Sequence, residues 1–345
     1  MTREISMSSA LNEAIKLAMR RDEDVILMGE DVAGGAHVDH LQDDEAWGGV
    51  LGVTKGIVQE FGRERVLDTP ISEAGYVGAA MAAASTGLRP IAELMFNDFI
   101  GTCLDQVLNQ GAKFRYMFGG KAEVPITIRT THGAGFRAAA QHSQSLYALF
   151  TSIPGLKVVV PSSPYDAKGL LLAAIEDQDP VIFFEDKTLY NITGDVPERY
   201  YTLPLGQADV KREGSDVTIF AVGKQVHIAL EAAEQLAAQG IEAEVIDPRT
   251  LSPLDEEAIL TSVEKTNRLV IVDEANPRCG IAADISSLVA DKGFDLLDAP
   301  IKKVTAPHTP VPFSPPLEDI YLPTPDKVVN TVLEMIGKSY DKILN

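Results

Sequence analysis

The segment Asp68-Thr69-Pro70-Ile71-Ser72-Glu73-Ala74-Gly75 sets a carboxylate where a turn gives way to an alanine-rich helix running through Gly78, Ala82 and Ala84. Small side chains allow close packing there. Desolvation in such dry surroundings would favour a protonated carboxyl, ready to exchange a proton with a heteroaromatic base. A simpler account is that Glu73 is a negative charge favoured by the helix dipole at an N-terminus. On the residues alone the simpler account is the stronger. His142, in Ala139-Ala140-Gln141-His142-Ser143-Gln144, follows a strand in a Gly/Ala-rich stretch where an imidazole could give or take a proton near neutral pH. A ring nitrogen bonded to backbone explains a lone histidine equally well.

Other chemistries lose their carriers. His37 and His40 flank Asp39 in a Gly- and Asp-rich loop, a grouping that could bind a divalent metal but reads better as solvated loop. Gly133-Ala134-Gly135-Phe136-Arg137-Ala138 follows a predicted strand and loosely matches the dinucleotide fingerprint. The next strand, however, ends Val160-Pro161-Ser162, and no Asp or Glu lies between Gly133 and Asp166 to meet a ribose hydroxyl. These glycines read instead as a turn with close backbone approach. The chain has neither a Walker-type Gly-Lys-Ser/Thr loop nor a Gly-x-Ser-x-Gly elbow, so nucleotide hydrolysis and serine esterase chemistry drop out.

Positioning these residues requires a scaffold. Short β-branched apolar runs at Val25–Met28, Ile91–Met95, Pro125–Thr130, Leu156–Val160 and Val181–Phe184 read as buried parallel strands. Between them Ser9–Arg21, Ala74–Ser85, Gly101–Tyr116 and Ala167–Asp177 have helical length and spacing, giving an α/β domain over residues 1–188 with both sheet faces covered. Gly194, Pro197 and Pro204 break the periodicity and place a linker at 189–206. A smaller α/β domain, 207–345, follows with strands Val217–Val222, Ala243–Ile246 and Leu269–Val272 and helices Lys224–Gln239 and Asp255–Val263. In the first of these helices Val226, Leu230, Ala233 and Ala237 share a predicted buried face, and Gly240 suits the left-handed position that stops it. Ala306–Pro316, with five prolines, predicts an extended connection, and Asp326–Ile336 a closing helix. No internal repeat or low-complexity tract is visible.

With 345 residues, two domains are the natural expectation. Two cysteines, Cys103 and Cys279, are too few for a disulfide framework and point to a reducing compartment. The N-terminus lacks a signal-type apolar run and no stretch approaches a membrane span, so a cytoplasmic protein is expected. A net charge of −20 opposes phosphate backbones and anionic lipid, which argues against nucleic-acid and membrane partners.

Taken together, Gly29-Glu30-Asp31-Val32, Asp68 to Glu73, Gly87-Leu88-Arg89-Pro90-Ile91, Asp105-Gln106-Val107 and Ala140-Gln141-His142-Ser143-Gln144 resemble the β subunit of the thiamine-dependent first component of 2-oxo acid dehydrogenase complexes. The resemblance continues through Pro154 to Val159 and Asp247-Pro248-Arg249-Thr250-Leu251 to Val272-Asp273-Glu274, covering nearly the whole chain. Within the family, His37 to Gly52, including Asp43 to Gly49, is most similar to the acetoin dehydrogenase branch.

The resemblance implies a transketolase-like pyrimidine-binding domain, then a transketolase C-terminal domain, in a heterotetramer of two α and two β chains. It implies that Glu73 bonds the aminopyrimidine ring of thiamine diphosphate, that Phe99 packs on that ring, and that Glu30 and Met95 line its pocket. His142 matches a histidine assisting proton transfer and reductive acylation of a lipoyl group on the acyltransferase component, and His132 is expected near the mouth of the substrate pocket. Asp177 and Asp179 match a loop that can hold a structural K⁺ in related subunits, although a plain strand-entry turn explains them almost as well. The Mg²⁺–diphosphate half of such a site needs a Gly-Asp-Gly turn, because Mg²⁺ takes hard oxygen ligands beside phosphates. This chain has none, so the cofactor's charged end, with its Mg²⁺, is expected to be held by the α subunit. The expected substrate is acetoin, with pyruvate or a branched-chain 2-oxo acid as the alternative. Two other readings are a non-catalytic assembly module and a self-sufficient transketolase-type enzyme.

Overall fold

A computed structural model describes residues 2–34 and 48–337. The readings on His37, Asp39, His40 and Asp43 to Trp47 therefore lie outside the described residues. The chain divides into two compact units, Met1–His132 with Leu149–Leu205, and Gly133–Ala148 with Gly206–Asn345.

The first unit opens with β1 (Thr2–Ser6), α1 (Met7–Arg21) and β2 (Val25–Gly29). The hydroxyl of Ser6 accepts from the Ser9 amide at 3.2 Å to cap α1, and Arg20 and Arg21 sit in its last turn where the dipole favours cations. Leu11, Ala14, Ile15, Ala18 and Met19, at spacings of three, one, three and one, make a single buried stripe. Burial of each large side chain here contributes about 1.5–3 kcal/mol. There follow α2 (Ile57–Phe61), β3 (Val66–Asp68), α3 (Glu73–Ser85), β4 (Arg89–Phe96), α4 (Ile100–Asp105), α5 (Ala112–Met117), β5 (Thr127–His132), α6 (Tyr147–Thr151), β6 (Lys157–Val159), α7 (Pro164–Glu176), β7 (Val181–Asp186) and β8 (Thr193–Pro197). The helix expected over Gly101–Tyr116 is interrupted by a π-helical turn at Gln106–Gly111.

The central strands pair in the order β6-β7-β5-β4-β2-β3, every pair parallel. Helices α1 and α7 cover one face through Leu11, Ile15, Ala167, Leu170 and Leu171, which pack with Leu27, Ile91 and Phe183. The chain runs from β2 outward to β3 and crosses back through α3 to β4 on the other side of β2. That reversal makes the carboxyl ends of β2 and β4 a topological switch point, the place where open α/β sheets bind ligands.

The stretch expected as linker is structured. Strand β8 pairs antiparallel with β1, from Thr2 opposite Pro197 to Ser6 opposite Thr193. A two-stranded edge tolerates Gly194 and Pro197 because neither side of it needs a full ladder of donors. The division between units falls instead between Leu205 and Gly206, and Gly133–Ala148 groups with the second unit.

That second unit holds β9 (Asp209–Arg212), β10 (Val217–Ala221), α8 (Gln225–Ala237), β11 (Ala243–Asp247), β12 (Thr250–Ser252), α9 (Glu256–Thr266), β13 (Leu269–Asp273), α10 (Ile281–Lys292), β14 (Lys302–Thr305), α11 (Pro315–Tyr321) and α12 (Pro325–Met335). Its sheet runs β14-β13-β10-β11-β9, parallel except for β9. Helix α8 buries Val226, Ala229, Ala233 and Leu236 against α12 residues Val328, Val329, Val332 and Leu333. The buried face is thus rotated about one residue from the predicted one, leaving Leu230 and Ala237 half-buried. Gly240 takes φ +75° just beyond the helix, and the Ile241 amide closes onto the Leu236 carbonyl. The proline-rich connection ends earlier than expected, because Pro315 starts α11, at a position where its missing N–H costs nothing. Among the described residues no helix is long and apolar enough to cross a membrane.

Candidate active site

Strand β2 ends at Gly29, opposite Glu93 of β4, where a Cβ would come within 2.9 Å of the Glu93 Cβ. Only glycine lets the two strands pass this closely. The next residue, Glu30, is 7% exposed, and its Oε1 has no hydrogen-bond partner among the described residues. Asp31 follows at φ +58°, a conformation that costs a non-glycine residue energy and persists when its surroundings impose it.

Glu73 is the first residue of α3 and is 8% exposed; Ser72 at the N-cap makes no side-chain cap, and the helix dipole favours negative charge at this end. The two carboxyls, from the residue after β2 and the first residue of α3, share one neighbourhood. Burial, then the charges of Glu73, Asp31 and Glu93, push the Glu30 carboxyl up to about 7. Tyr76, one turn along α3, donates from its hydroxyl to the Glu93 carbonyl at 3.1 Å, and burial and the same carboxylates push its pKa up. Burial and Glu73 push the Cys103 thiol up to about 12. The neighbourhood is therefore buried, carries surplus negative charge and holds one carboxyl, Glu30, that titrates near neutrality.

A buried ion network backs this pocket. Arg129 of β5, 2% exposed, donates to Glu185 from Nε at 2.7 Å and Nη2 at 2.8 Å, and to Glu93 from Nη1 at 2.8 Å. Tyr190 donates to Glu185 at 2.6 Å. Burial disfavours the guanidinium charge, but Glu185 and Glu93 more than offset it and hold the Arg129 pKa above its ordinary value. For Glu93 the balance goes the other way, because burial raises its pKa more than Arg129 lowers it.

The remaining expected residues fall as follows. Met95 and Phe99 lie at the carboxyl end of β4 and in the helical turn Asn97–Phe99 after it, both half-buried. Phe99 meets Phe96 edge-on at 5.5 Å between centroids. A register shift between Leu94 and Phe96 re-aims the strand end, and fully buried Asn97 pins it to β5 through the Thr131 carbonyl at 3.1 Å. Asn97 carries no motif that marks it in the sequence. His132 ends β5, is 1% exposed and meets Phe184 edge-on at 5.7 Å. His142 is half-buried and belongs to Gly133–Ala148 of the second unit.

Asp177 and Asp179 are held by cations. Lys157 reaches Asp177 at 2.6 Å and Arg115 reaches Asp179 at 2.8 Å. These ion pairs fix both aspartates in the loop before β7. Only part of α3 packs within the unit: a Cβ at Gly78 would meet Gln106 at 3.0 Å and Met81 lies against Gly111, whereas Ala74, Gly75, Ala79 and Ala82 are exposed.

The family described as "Transketolase, pyrimidine binding domain" matches residues 3–193, and "Transketolase, C-terminal domain" matches residues 206–328. The "Acetoin:2,6-dichlorophenolindophenol oxidoreductase subunit beta" of Bacillus subtilis is 82% identical, over 98% of this chain and 99% of that one. The chain belongs to the β-subunit family of acetoin and 2-oxo acid dehydrogenases. More distant in the same family is the "Pyruvate dehydrogenase E1 component subunit beta" of Rickettsia felis, 46% identical over 95% of this chain and 97% of that one. A solved "Split gene transketolase, inactive beta4 tetramer" shares the fold with a TM-score of 0.76 at 22% identity, covering 97% of this chain and 99% of that chain. Membership of this family implies thiamine diphosphate as the cofactor.

Proposed function

We propose that this chain is the β subunit of an acetoin dehydrogenase and supplies the pyrimidine-binding half of a thiamine diphosphate site that a second kind of chain completes. The observation that carries the chemistry is the buried pair Glu30 and Glu73. A ring with alternating donors and acceptors needs polar partners inside a dry wall, and the orphaned Oε1 of Glu30 is such a partner. Glu73 would hold the aminopyrimidine ring nitrogen, Glu30, Met95 and Phe99 would line the ring, and Tyr76 would keep the wall closed. When bound, thiamine diphosphate supplies the carbon nucleophile that cleaves a bond beside a carbonyl.

The chain's own groups hold and move protons. Glu73, fixed at a helix N-terminus, exchanges a proton with the bound ring, and the neighbouring Glu30 carboxyl, neutral below about 7, limits the charge buried with it. His142 is the proposed proton donor and acceptor for reductive acylation of a lipoyl group. The diphosphate and its Mg²⁺ are assigned to an α subunit, because no Gly-Asp-Gly occurs in this sequence. Two α and two β chains, served by a lipoyl-bearing acyltransferase, form the working assembly.

The choice of acetoin rests on 82% identity to an acetoin-linked β subunit against 46% to a pyruvate-linked one. The proposed reaction cleaves acetoin between its oxygenated carbons, passes the two-carbon acetyl unit to the lipoyl group and releases acetaldehyde. The test is substrate-dependent reduction of 2,6-dichlorophenolindophenol by the complex reconstituted from both chains. Activity with acetoin and little with pyruvate is expected; the reverse pattern overturns the substrate assignment.

A further inference from the structure

The segment Gly133–Ala148, which carries His142, has an unusual backbone. Gly133, Gly135, Arg137 and Ala139 take φ of +94°, +99°, +60° and +61°, so two of the four left-handed residues bear side chains that disfavour that conformation. Such a backbone persists only where its surroundings over-determine it. The second unit does so with three buried carboxylates.

Glu318 of α11 is 0% exposed and accepts from the Gly135 amide at 2.6 Å and from Arg137 Nη1 at 2.8 Å. Arg137 also donates to the Pro315 carbonyl at 3.1 Å and to Asp319 at 2.5 Å. Glu274, after β13, accepts from the Ala134 amide at 3.3 Å and the Ser145 hydroxyl at 2.5 Å. Tyr147 donates to Asp273. The base of the loop is closed by the Gly133 amide on the Gln144 carbonyl at 3.2 Å, and the turn at its tip by the His142 amide on the Ala139 carbonyl at 3.4 Å. Both legs are therefore fastened, at residues 134, 135 and 137 on one side and 145 and 147 on the other, and the span between them presents His142.

We infer that Glu318 and Arg137 are positioning residues for His142: α11 grips the ascending leg of the loop and fixes the two left-handed turns that set where the imidazole stands. This rests on the role proposed for His142 above and adds to it a control point in the C-terminal domain, far along the chain from the carboxylate pair. A charge-assisted bond from a carboxylate with no exposure is stronger than a neutral one, so this grip holds a strained backbone where a solvated pair would not.

The experiment measures acetoin-driven acetylation of a lipoyl domain by the reconstituted two-chain complex, for native, R137A, R137K, E318Q, H142A and H142A/R137A proteins. R137A and E318Q are expected to slow transfer roughly 10- to 100-fold, as displaced catalytic groups do, with R137K recovering part of the loss. The double variant is expected to be no slower than H142A alone, because the grip acts only through the histidine. Arg137 is partly exposed and its removal leaves Glu318 bonded to the Gly135 amide, so R137A decides the matter if E318Q does not fold. Native-like transfer in R137A, or losses that multiply in the double variant, overturns the inference while leaving the role of His142 standing. Full transfer in H142A overturns that role and the inference with it.

Discussion

Glu30→Gln separates the cost of charging the pocket from every other property of the fold. Burial, with the charges of Glu73, Asp31 and Glu93, moves the Glu30 carboxyl from 4.5 to about 7. The folded chain therefore keeps a proton that the unfolded chain has released between those two values. Since stability falls with pH wherever the native state binds more protons, it declines as pH rises from about 4.5 to about 7, and above that the full cost is present. A difference of about 2.5 units at about 1.36 kcal/mol per unit is roughly 3 kcal/mol. Glutamine has the same shape and cannot ionise. The E30Q chain should exceed the native chain by less than about 1 kcal/mol at pH 5 and by up to roughly 3 kcal/mol at pH 8. Urea unfolding midpoints of the cofactor-free chain from pH 4.5 to 8.5 read this directly. Parallel curves for the two proteins, or a native advantage at pH 8, refute the claim that Glu30 is a carboxyl held neutral by its surroundings.

Arg129→Met should destabilise the first unit by about 3–5 kcal/mol, because it leaves Glu185 and Glu93 buried without their counter-ion; calorimetric melting checks it. Ser163→Ala removes the hydroxyl that accepts from the Asp166 amide at 3.1 Å at the start of α7, and should cost about 1 kcal/mol in the same assay. Thiamine diphosphate titrated into this chain alone should give little heat and no dye reduction, with both appearing when a chain bearing Gly-Asp-Gly is added. Tight binding by the single chain contradicts a divided site.

The scaffold was legible wherever the burial pattern was local. Helix α1 follows from the spacing of Leu11, Ile15, Ala18 and Met19, and the strands Val25–Gly29 and Val181–Asp186 from the apolar runs Val25–Met28 and Val181–Phe184, buried on both faces. Where tertiary partners choose the outcome, the sequence misled. Gly194 and Pro197 look like a linker until β1 is seen beside them, and the buried face of α8 is set by α12, some ninety residues later. Gly133-Ala134-Gly135 reads as a turn, but nothing local says that the turn belongs with the second unit, since its partners Glu274 and Glu318 lie 140 and 183 residues away. Glu73 is a helix-start residue on physical grounds, and only the motif around it marks it as chemical. Glu30 needed the strand crossing at Gly29 and Glu93 to show why its carboxyl is special.

Glu73 is the group proposed to exchange a proton with the cofactor ring, and Glu73→Gln in the complex of both chains tests that role most directly. The expected result is an assembly that co-purifies normally while acetoin-dependent dye reduction falls by a factor on the order of 100 or more, the scale of a lost general acid–base group. Native turnover in a correctly assembled E73Q complex contradicts it.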